Sequence, residues 1–480
     1  MRFVRIIGIM VLFLGAAATW TAAQPGNQGR VASDFMREKR DLAACKDLKT
    51  FFNCAQALFT DQPLHFAVGS LAPQNGFAFG LAFVEHKDCP TNPPAGSFGC
   101  PREWRLNWDV DAVASGNGSW RAGAYMKAFR LSTPKIVVTY GTPKKQTPPI
   151  FHVAPLFNLY VETTSLNLLY YYGLGPNTLP AGQTAFGFTE TIAGASADIP
   201  TGIPGISLYA ELNGRIPEMR GNHGQSVPSI EQVYTNASAP GLSSQPAFFE
   251  PGEALRLQPH LPGGYLRLNY LLEFQNFIGV SGSNSNFRRW TADLGHEIPF
   301  DHKVHLTAVN EQNGPDSCTP DPEVKCQSPT HVSTAVNHEG SISFRLLMTG
   351  SAADANNAVP FYYDPTIGGS DINGQAILPS YPDYRFRAPN LVLLRETVEH
   401  AIPKVPLGAY FSVDEGKVGL NRDDINFSNL RTSYTVGLTV HAGGLPVAYL
   451  LFAWGGNEGN HTTFNVSNVL LGASARPSLF

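Results

Sequence analysis

His296, Glu297 and His302, in the segment "GHEIPFDH", are the nearest the chain comes to a set of metal ligands. A zinc site on a helix gathers its ligands on one face. This segment reads instead as a strand end running into a turn, so no metal site is expected. "GLGPNT" from Gly173 lacks the third glycine of a dinucleotide-binding loop and follows no strand-helix-strand pattern, which makes it a turn. The chain carries no G-x-S-x-G elbow, Walker loop, H-E-x-x-H helix or calcium-loop spacing. No catalytic constellation and no cofactor motif stand out, and the expectation is a protein that is not an enzyme.

The elements that would position any site point the same way. Of the 480 residues only 15% are charged, against roughly 25% in an ordinary soluble protein, while Gly, Phe and Tyr are plentiful. The formal net charge is −4, with no basic stripe and no run of like charge, so nucleic acid is not expected as a partner. Arg2 and Arg5 precede the apolar run "IIGIMVLFLGAAA", and small residues at Thr21, Ala22 and Ala23 offer a cleavage site. Residues 1–23 therefore read as a secretory signal peptide. After them no apolar run approaches the ~20 residues a membrane-spanning helix needs, so entry into a membrane requires a closed barrel.

Residues 24–62 form a separate segment, periplasmic or lumenal, with one helix candidate from Asp34 to Phe59. Its apolar face carries Leu48, Phe51, Phe52, Ala55, Leu58 and Phe59. The six cysteines fall in close pairs: Cys45 with Cys54, Cys89 with Cys100, Cys318 with Cys326. In an exported chain this suggests local disulfides, although Cys45 and Cys54 would lie roughly 13 Å apart on one straight helix and need a bend to meet.

Beyond residue 63 the apolar period changes to two. In "EWRLNWDVDAV" Trp104, Leu106, Trp108 and Val110 alternate with Arg105, Asn107, Asp109 and Asp111. "YLRLNYLLEFQ" sets Leu268, Tyr270, Leu272 and Phe274 against Arg267, Asn269, Glu273 and Gln275. "RTSYTVGLTVH" sets Tyr434, Val436, Leu438 and Val440 against Arg431, Ser433, Thr435 and His441. A soluble sandwich alternates too, with its apolar face turned inward. The runs exceed the usual five or six residues and approach the ~9–11 that cross a bilayer at a tilt. Trp104, Trp120, Trp290 and Trp454 stand near strand ends, where an interfacial girdle would put them. The reading is an all-β, transmembrane antiparallel β-barrel over residues 63–480, in outer-membrane lipid of the Gram-negative type; the alternative is a secreted, soluble β-rich binding protein.

Counted from Phe77 the strands number about sixteen, with 150–163 and 166–173 as two of them, and 287–299 and 339–350 as two more. Tight connections such as "SGNG", "HLPGG", "IPKVP" and "AGGLP" are expected on one side and long ones on the other. The connection from about Phe300 to Gly340 is long on the short side. The sixth long-side connection spans about Ser351 to Ala388, too rich in Tyr, Phe and Arg for a solvated tether.

Here the residues carry a resemblance. "VPFYYDPTIGGSDINGQ", "YRFRAPNLVLLRETVEHAIPKVPLGAYFSVDEGKV" and "TSYTVGLTVH" resemble the carboxy-terminal barrel of the bacterial surface antigen family, over roughly residues 339 to 471. That family belongs to the outer-membrane barrels that assemble other barrels or secrete partner proteins. The resemblance implies that the sixth loop folds back into the lumen, and that the protein inserts or translocates a periplasmic or secreted client, or serves as a gated pore. Pro360, Phe361, Tyr362, Gly368 and Gly369 match the approach to that loop, and Tyr384, Phe386, Arg387 and Asn390 match its return. Glu396 and Asp414 fall where the family places inward carboxylates that receive the loop arginine. At the motif itself the chain reads Asn373-Gly374-Gln375, without that arginine. The expected lock is a substituted one, with Arg385 or Arg387 meeting Glu396 and Asp414 and Arg395 a further candidate; the other reading leaves both carboxylates facing lumen water. The periplasmic repeat domains that usually precede such barrels find no counterpart in the residues before Phe77, so a stand-alone barrel is expected.

Overall fold

The computed structural model describes residues 64–88, 104–131, 136–140, 152–259, 265–280, 285–309, 330–354, 357–403, 405, 407–442, 445–456 and 458–466. The expected signal peptide, the expected helical segment and all six cysteines lie outside the described residues, and with them the expected disulfides.

Seventeen strands form one sheet. The first nine are β1 (Leu64–Ser70), β2 (Phe77–Asp88), β3 (Trp104–Ser115), β4 (Trp120–Leu131), β5 (Ile136–Tyr140), β6 (His152–Tyr171), β7 (Thr184–Pro200), β8 (Ile206–Gly221) and β9 (Phe248–Leu257). They are followed by β10 (Arg267–Gly279), β11 (Phe287–Val309) and β12 (Thr330–Ala353). A two-stranded sheet of β13 (Thr366–Ile367) and β14 (Phe386–Arg387) stands apart. The large sheet resumes with β15 (Asn390–Ala401), β16 (Leu407–Gly419), β17 (Arg431–Ala442), β18 (Leu445–Trp454) and β19 (His461–Val466). Sixteen of these strands pair antiparallel with their neighbours in a meander, and β5 adds to β12 in parallel through Ile136↔Thr334 to Tyr140↔His338. β1 lies beside β19, which brings the two ends of the meander together.

The two faces of the wall are inverted relative to a soluble protein. On β17, Tyr434, Val436, Leu438 and Val440 are exposed while Ser433, Thr435, Thr439 and His441 are buried. On β2, Phe77, Phe79, Leu81 and Phe83 face outward, and on β3 the carboxylates Asp109 and Asp111 are buried. A sandwich would bury the apolar set and expose the polar one; here the polar set lines the interior, and the exposed band of Phe, Leu and Val is what a lipid-facing wall presents. The architecture is a transmembrane antiparallel β-barrel. Trp454, at the end of β18, stacks on Phe452 and Tyr434 of that outer face at ring separations of 6.0 and 6.1 Å.

The strand count is right for partly wrong reasons. β1 precedes the first expected strand, and residues 150–163 and 166–173 are one strand, β6. The polar run Thr163-Thr164-Ser165 continues the strand, its hydroxyls bonding across the ladder, Thr163 with Thr191 at 2.9 Å and Ser165 with Thr189 at 3.0 Å, and the irregularity is a register shift between Leu166 and Leu169. These two differences cancel in the total but reverse the parity before β6. "SGNG" therefore joins β3 to β4 on the same side as the sixth loop, not on the side of the tight turns. In the long connection from Phe300 to Gly340 the described residues are strand, since β11 continues to Val309 and β12 begins at Thr330, with a register shift between Phe300 and Asp301.

Candidate functional site

The sixth loop, between β12 and β15, is anchored along its length, and its anchors begin at its root. Pro360 starts a single turn, Phe361–Tyr363, that turns three aromatic side chains into the barrel. Phe361 packs on Tyr171 and Phe186, Tyr362 on Phe188, and Tyr363 on Phe248 and Phe277, with ring centroids 4.9 to 5.6 Å apart. These rings form one buried cluster, each contributing about 1.5–3 kcal/mol of burial.

A polar set on the inner wall fixes the same turn. Tyr363 donates its hydroxyl to Glu190 Oε1 at 2.7 Å. Arg215 lies between Glu190, 3.4 Å away, and Glu250, to which its Nε donates. Gln275 donates to Glu250 at 2.7 Å and to Glu211 at 2.8 Å, continuing the network along the wall. Arg289 donates to the Tyr363 carbonyl and to Ser351 Oγ, and Arg387 donates to the Phe361 carbonyl at 2.7 Å. Asp364 follows immediately, and burial pushes its carboxyl up to about 8 against the pull of Arg387 and Arg289.

The loop narrows through the β13–β14 pair, where Thr366 faces Arg387 and Ile367 faces Phe386. Gly368 and Gly369 follow with φ of +110° and +63°. A Cβ on Gly369 would stand 2.2 Å from Asp383 Oδ1, and one on Gly368 would stand 2.5 Å from the Arg385 Cβ, so both conformation and space require glycine.

The tip, Asp371 to Gln375, is a tight turn closed by Asp371 N–H to the Gln375 carbonyl and Gly374 N–H to the Asp371 carbonyl. Asn373 and Gly374 form its end, with Gly374 at φ +79°. Tyr449 donates to the Gly374 carbonyl at 2.9 Å, and Arg345 donates to Gln375 Oε1 at 3.4 Å. Arg395 forks onto Asp414, with Nε 2.7 Å from Oδ1 and Nη2 2.8 Å from Oδ2, and Nη2 also donates to the Ala376 carbonyl. The remaining Asp414 capacity takes the Leu378 N–H at 3.0 Å, and the Ser380 N–H bonds Ser433 Oγ at 2.9 Å. Burial moves the Asp371 carboxyl up to about 6, opposed by the backbone N–H groups of Gln375 and Asn373 and by the charges of Arg345 and Arg395.

The expected lock residues therefore part company. Asp414 is inward, fully buried and joined to the loop. Glu396 is exposed on the outer face, in register with Phe344 and Val413, because it neighbours an inward Arg395 and side chains alternate along a strand. Arg385 pairs with neither carboxylate; it forks onto Glu458 at 2.6 and 2.9 Å and reaches Thr178. Arg387 is spent on backbone carbonyls of its own loop. Sequence reasoning passed over Glu190, Arg215, Tyr363 and Glu458, and ranked Arg395 below the arginines of the loop.

Glu190, Tyr449, Arg395 and Asp414 each hydrogen-bond one segment of chain. Among the described residues no three His, Cys, Asp or Glu side chains gather as a metal-binding group.

Fold and site together define a transmembrane β-barrel whose sixth loop hydrogen-bonds residues of β7, β16 and β18. Neither a family model nor a curated protein matches the sequence. Solved structures are similar to it in fold. BamA from Haemophilus ducreyi lacking POTRA domains 1-3 is 12% identical with a TM-score of 0.43, covering 84% of this chain and 68% of that one. CdiB from Acinetobacter baumannii is 13% identical with a TM-score of 0.41 and CdiB from Escherichia coli 11% with 0.44. Both cover 84% of this chain, which spans 60% and 62% of theirs, less than two thirds.

Proposed function

We propose that the chain is an outer-membrane barrel whose sixth loop is a releasable seal of the lumen, and that its release opens a path for insertion or passage of a polypeptide client. The observation that carries this reading is the distribution of the loop's anchors. They run from Tyr363 on Glu190, through Leu378 on Asp414, to Gly374 under Tyr449, so that one segment meets inward residues of β7, β16 and β18. A loop serving only as an outer surface would not spend buried carboxylates and arginines on its own tip. Polar anchoring also suits release, since each hydrogen bond lost inside can be exchanged for one to water as the lumen fills. The exposed apolar outer face disfavours the secreted soluble alternative.

Single-channel conductance of the purified protein in a planar bilayer tests the seal. The intact chain is expected to be silent and a chain lacking residues 370–389 to open steadily. An intact chain that conducts as much as the deletion sinks the reading.

A further inference from the structure

The sixth loop touches a second part of the barrel, the place where its two ends meet. β1 runs into the turn at 71–76, and β19 emerges from the turn at 455–460; β1 and β19 lie side by side. Three consecutive loop residues hold both turns. Asp383 Oδ2 accepts from Gln74 Nε2 at 2.7 Å, and Tyr384 donates its hydroxyl to the Pro73 carbonyl at 3.0 Å. Arg385 forks onto Glu458 at 2.6 and 2.9 Å. On the first turn the contacts are hydrogen bonds; on the last they are a bidentate ion pair.

The three residues are themselves firmly set. Tyr384 is buried at φ +60°, a conformation that costs a non-glycine residue and persists where surrounding contacts enforce it. Asp383 Oδ1 accepts the Ser370 N–H at 2.9 Å. The Arg385 guanidinium lies between the rings of Tyr172 and Phe386, 4.9 and 4.5 Å away, and donates to Thr178 Oγ1 and the Thr178 carbonyl at 2.8 and 2.7 Å. Tyr381 closes over Gly456 of the last turn so tightly that a Cβ there would stand 2.1 Å from its hydroxyl.

Among the described residues β1 pairs with β2 and β19 with β18, and no backbone ladder joins β1 to β19, so side-chain contacts at their turns weigh more at this join than between laddered neighbours.

We propose that Asp383, Tyr384 and Arg385 form a clip that fastens the first strand of the barrel to the last from the loop side, so that the loop closing the lumen also closes the wall. The clip rests on the seal reading for its release, though not for its contacts. A loop that leaves the lumen takes residues 383–385 with it and frees both turns together.

Hydrogen exchange of the full chain in lipid nanodiscs, read by mass spectrometry, tests this. Glu458→Gln keeps the side-chain shape and removes the charge; Gln74→Glu sets a carboxylate against Asp383 on the other turn. Either is expected to speed exchange in Leu64–Ser70 and His461–Val466 by about tenfold and leave β7 and β8 unchanged. Tyr449→Phe, which loosens the tip alone, is expected to leave β1 and β19 as they are. Unaltered exchange in β1 and β19 for both charge variants overturns the clip, as does an equal acceleration of every strand. Conductance separates the two ideas. A loop-deleted chain that conducts while β1 and β19 keep their protection overturns the clip and spares the seal. A silent bilayer with faster exchange at β1 and β19 overturns the seal and supports the clip as a fastening of the wall.

Discussion

Arg395 and Asp414 stand opposite each other in the β15–β16 ladder, and the sixth loop binds both: the Ala376 carbonyl accepts from the arginine and the Leu378 N–H donates to the aspartate. The wall supplies the ion pair and the loop supplies only backbone. A loop side chain is not needed at Asn373, Gly374 or Gln375 for such a hold, so the absence of an arginine there removes no contact that this arrangement uses.

Removing one member of this pair leaves the other charged and partly stranded. Asp414→Ala is expected to lower barrel stability by about 3 kcal/mol or more, as loss of one partner of a buried pair does. Asp414→Asn should cost less, because it still accepts the Leu378 N–H, and Arg395→Lys should fall between, keeping the charge and losing the fork. Heat-dependent gel mobility in detergent measures all three. Equal stability of Asp414→Ala and wild type would falsify the hold.

At the root of the loop the decisive contact is the Tyr363 hydroxyl on Glu190. Tyr363→Phe keeps the aromatic packing against Phe248 and Phe277 and removes one bond to a buried carboxylate. The expected loss is about 1–3 kcal/mol, read as a lower unfolding midpoint with faster exchange at residues 360–364. A change confined to the tip at 371–380 would contradict the assignment.

How far the sequence foretold this differs from element to element, for physical reasons. "RTSYTVGLTVH" could be read because period-two alternation is a local property, and its apolar and polar sets are the exposed and buried sets found. β6 runs through the expected break between 163 and 166 because Thr163 and Ser165 pair by hydroxyls across the ladder, a contact invisible within one segment. The pairing of Arg395 with Asp414 depends on the register of the tight connection, where the ladder opens with Ala401 opposite Gly408; counting back from there sets the two opposite, a register that nearness in sequence does not give. Glu190, Arg215 and Tyr363 come from three separated parts of the chain, and nothing local in any of them marks the meeting. Arg385 with Glu458 is the same case.

Protonation gives a further check on the tip. The folded Asp371 carboxyl titrates at about 6, above the ordinary carboxylate value of about 4, because burial disfavours its charge. A raised pKa means the folded state holds the proton more tightly than the unfolded chain. Its contribution is therefore complete below pH ~4 and is lost as pH rises through about 6. Asp371→Asn should flatten the stability profile between those limits. An unchanged slope in the variant would assign the pH dependence elsewhere.

The outer face carries the last test, and it bears on the membrane itself. Leu212, midway along β8, is exposed, while its neighbour Asn213 is buried and bonded to Tyr160 at 2.6 Å. In water an exposed Leu212→Arg substitution would be nearly neutral, because a solvated guanidinium costs little on a surface. In a bilayer the same charge near the midplane costs about 2–4 kcal/mol, with Leu212→Ala costing far less. Folding the two variants into lipid vesicles of graded urea content measures the difference directly. A penalty of the larger size places β8 against hydrocarbon; equal behaviour of the arginine and alanine variants would mean that Leu212 meets water, and the exposed apolar band would then need a protein partner to cover it.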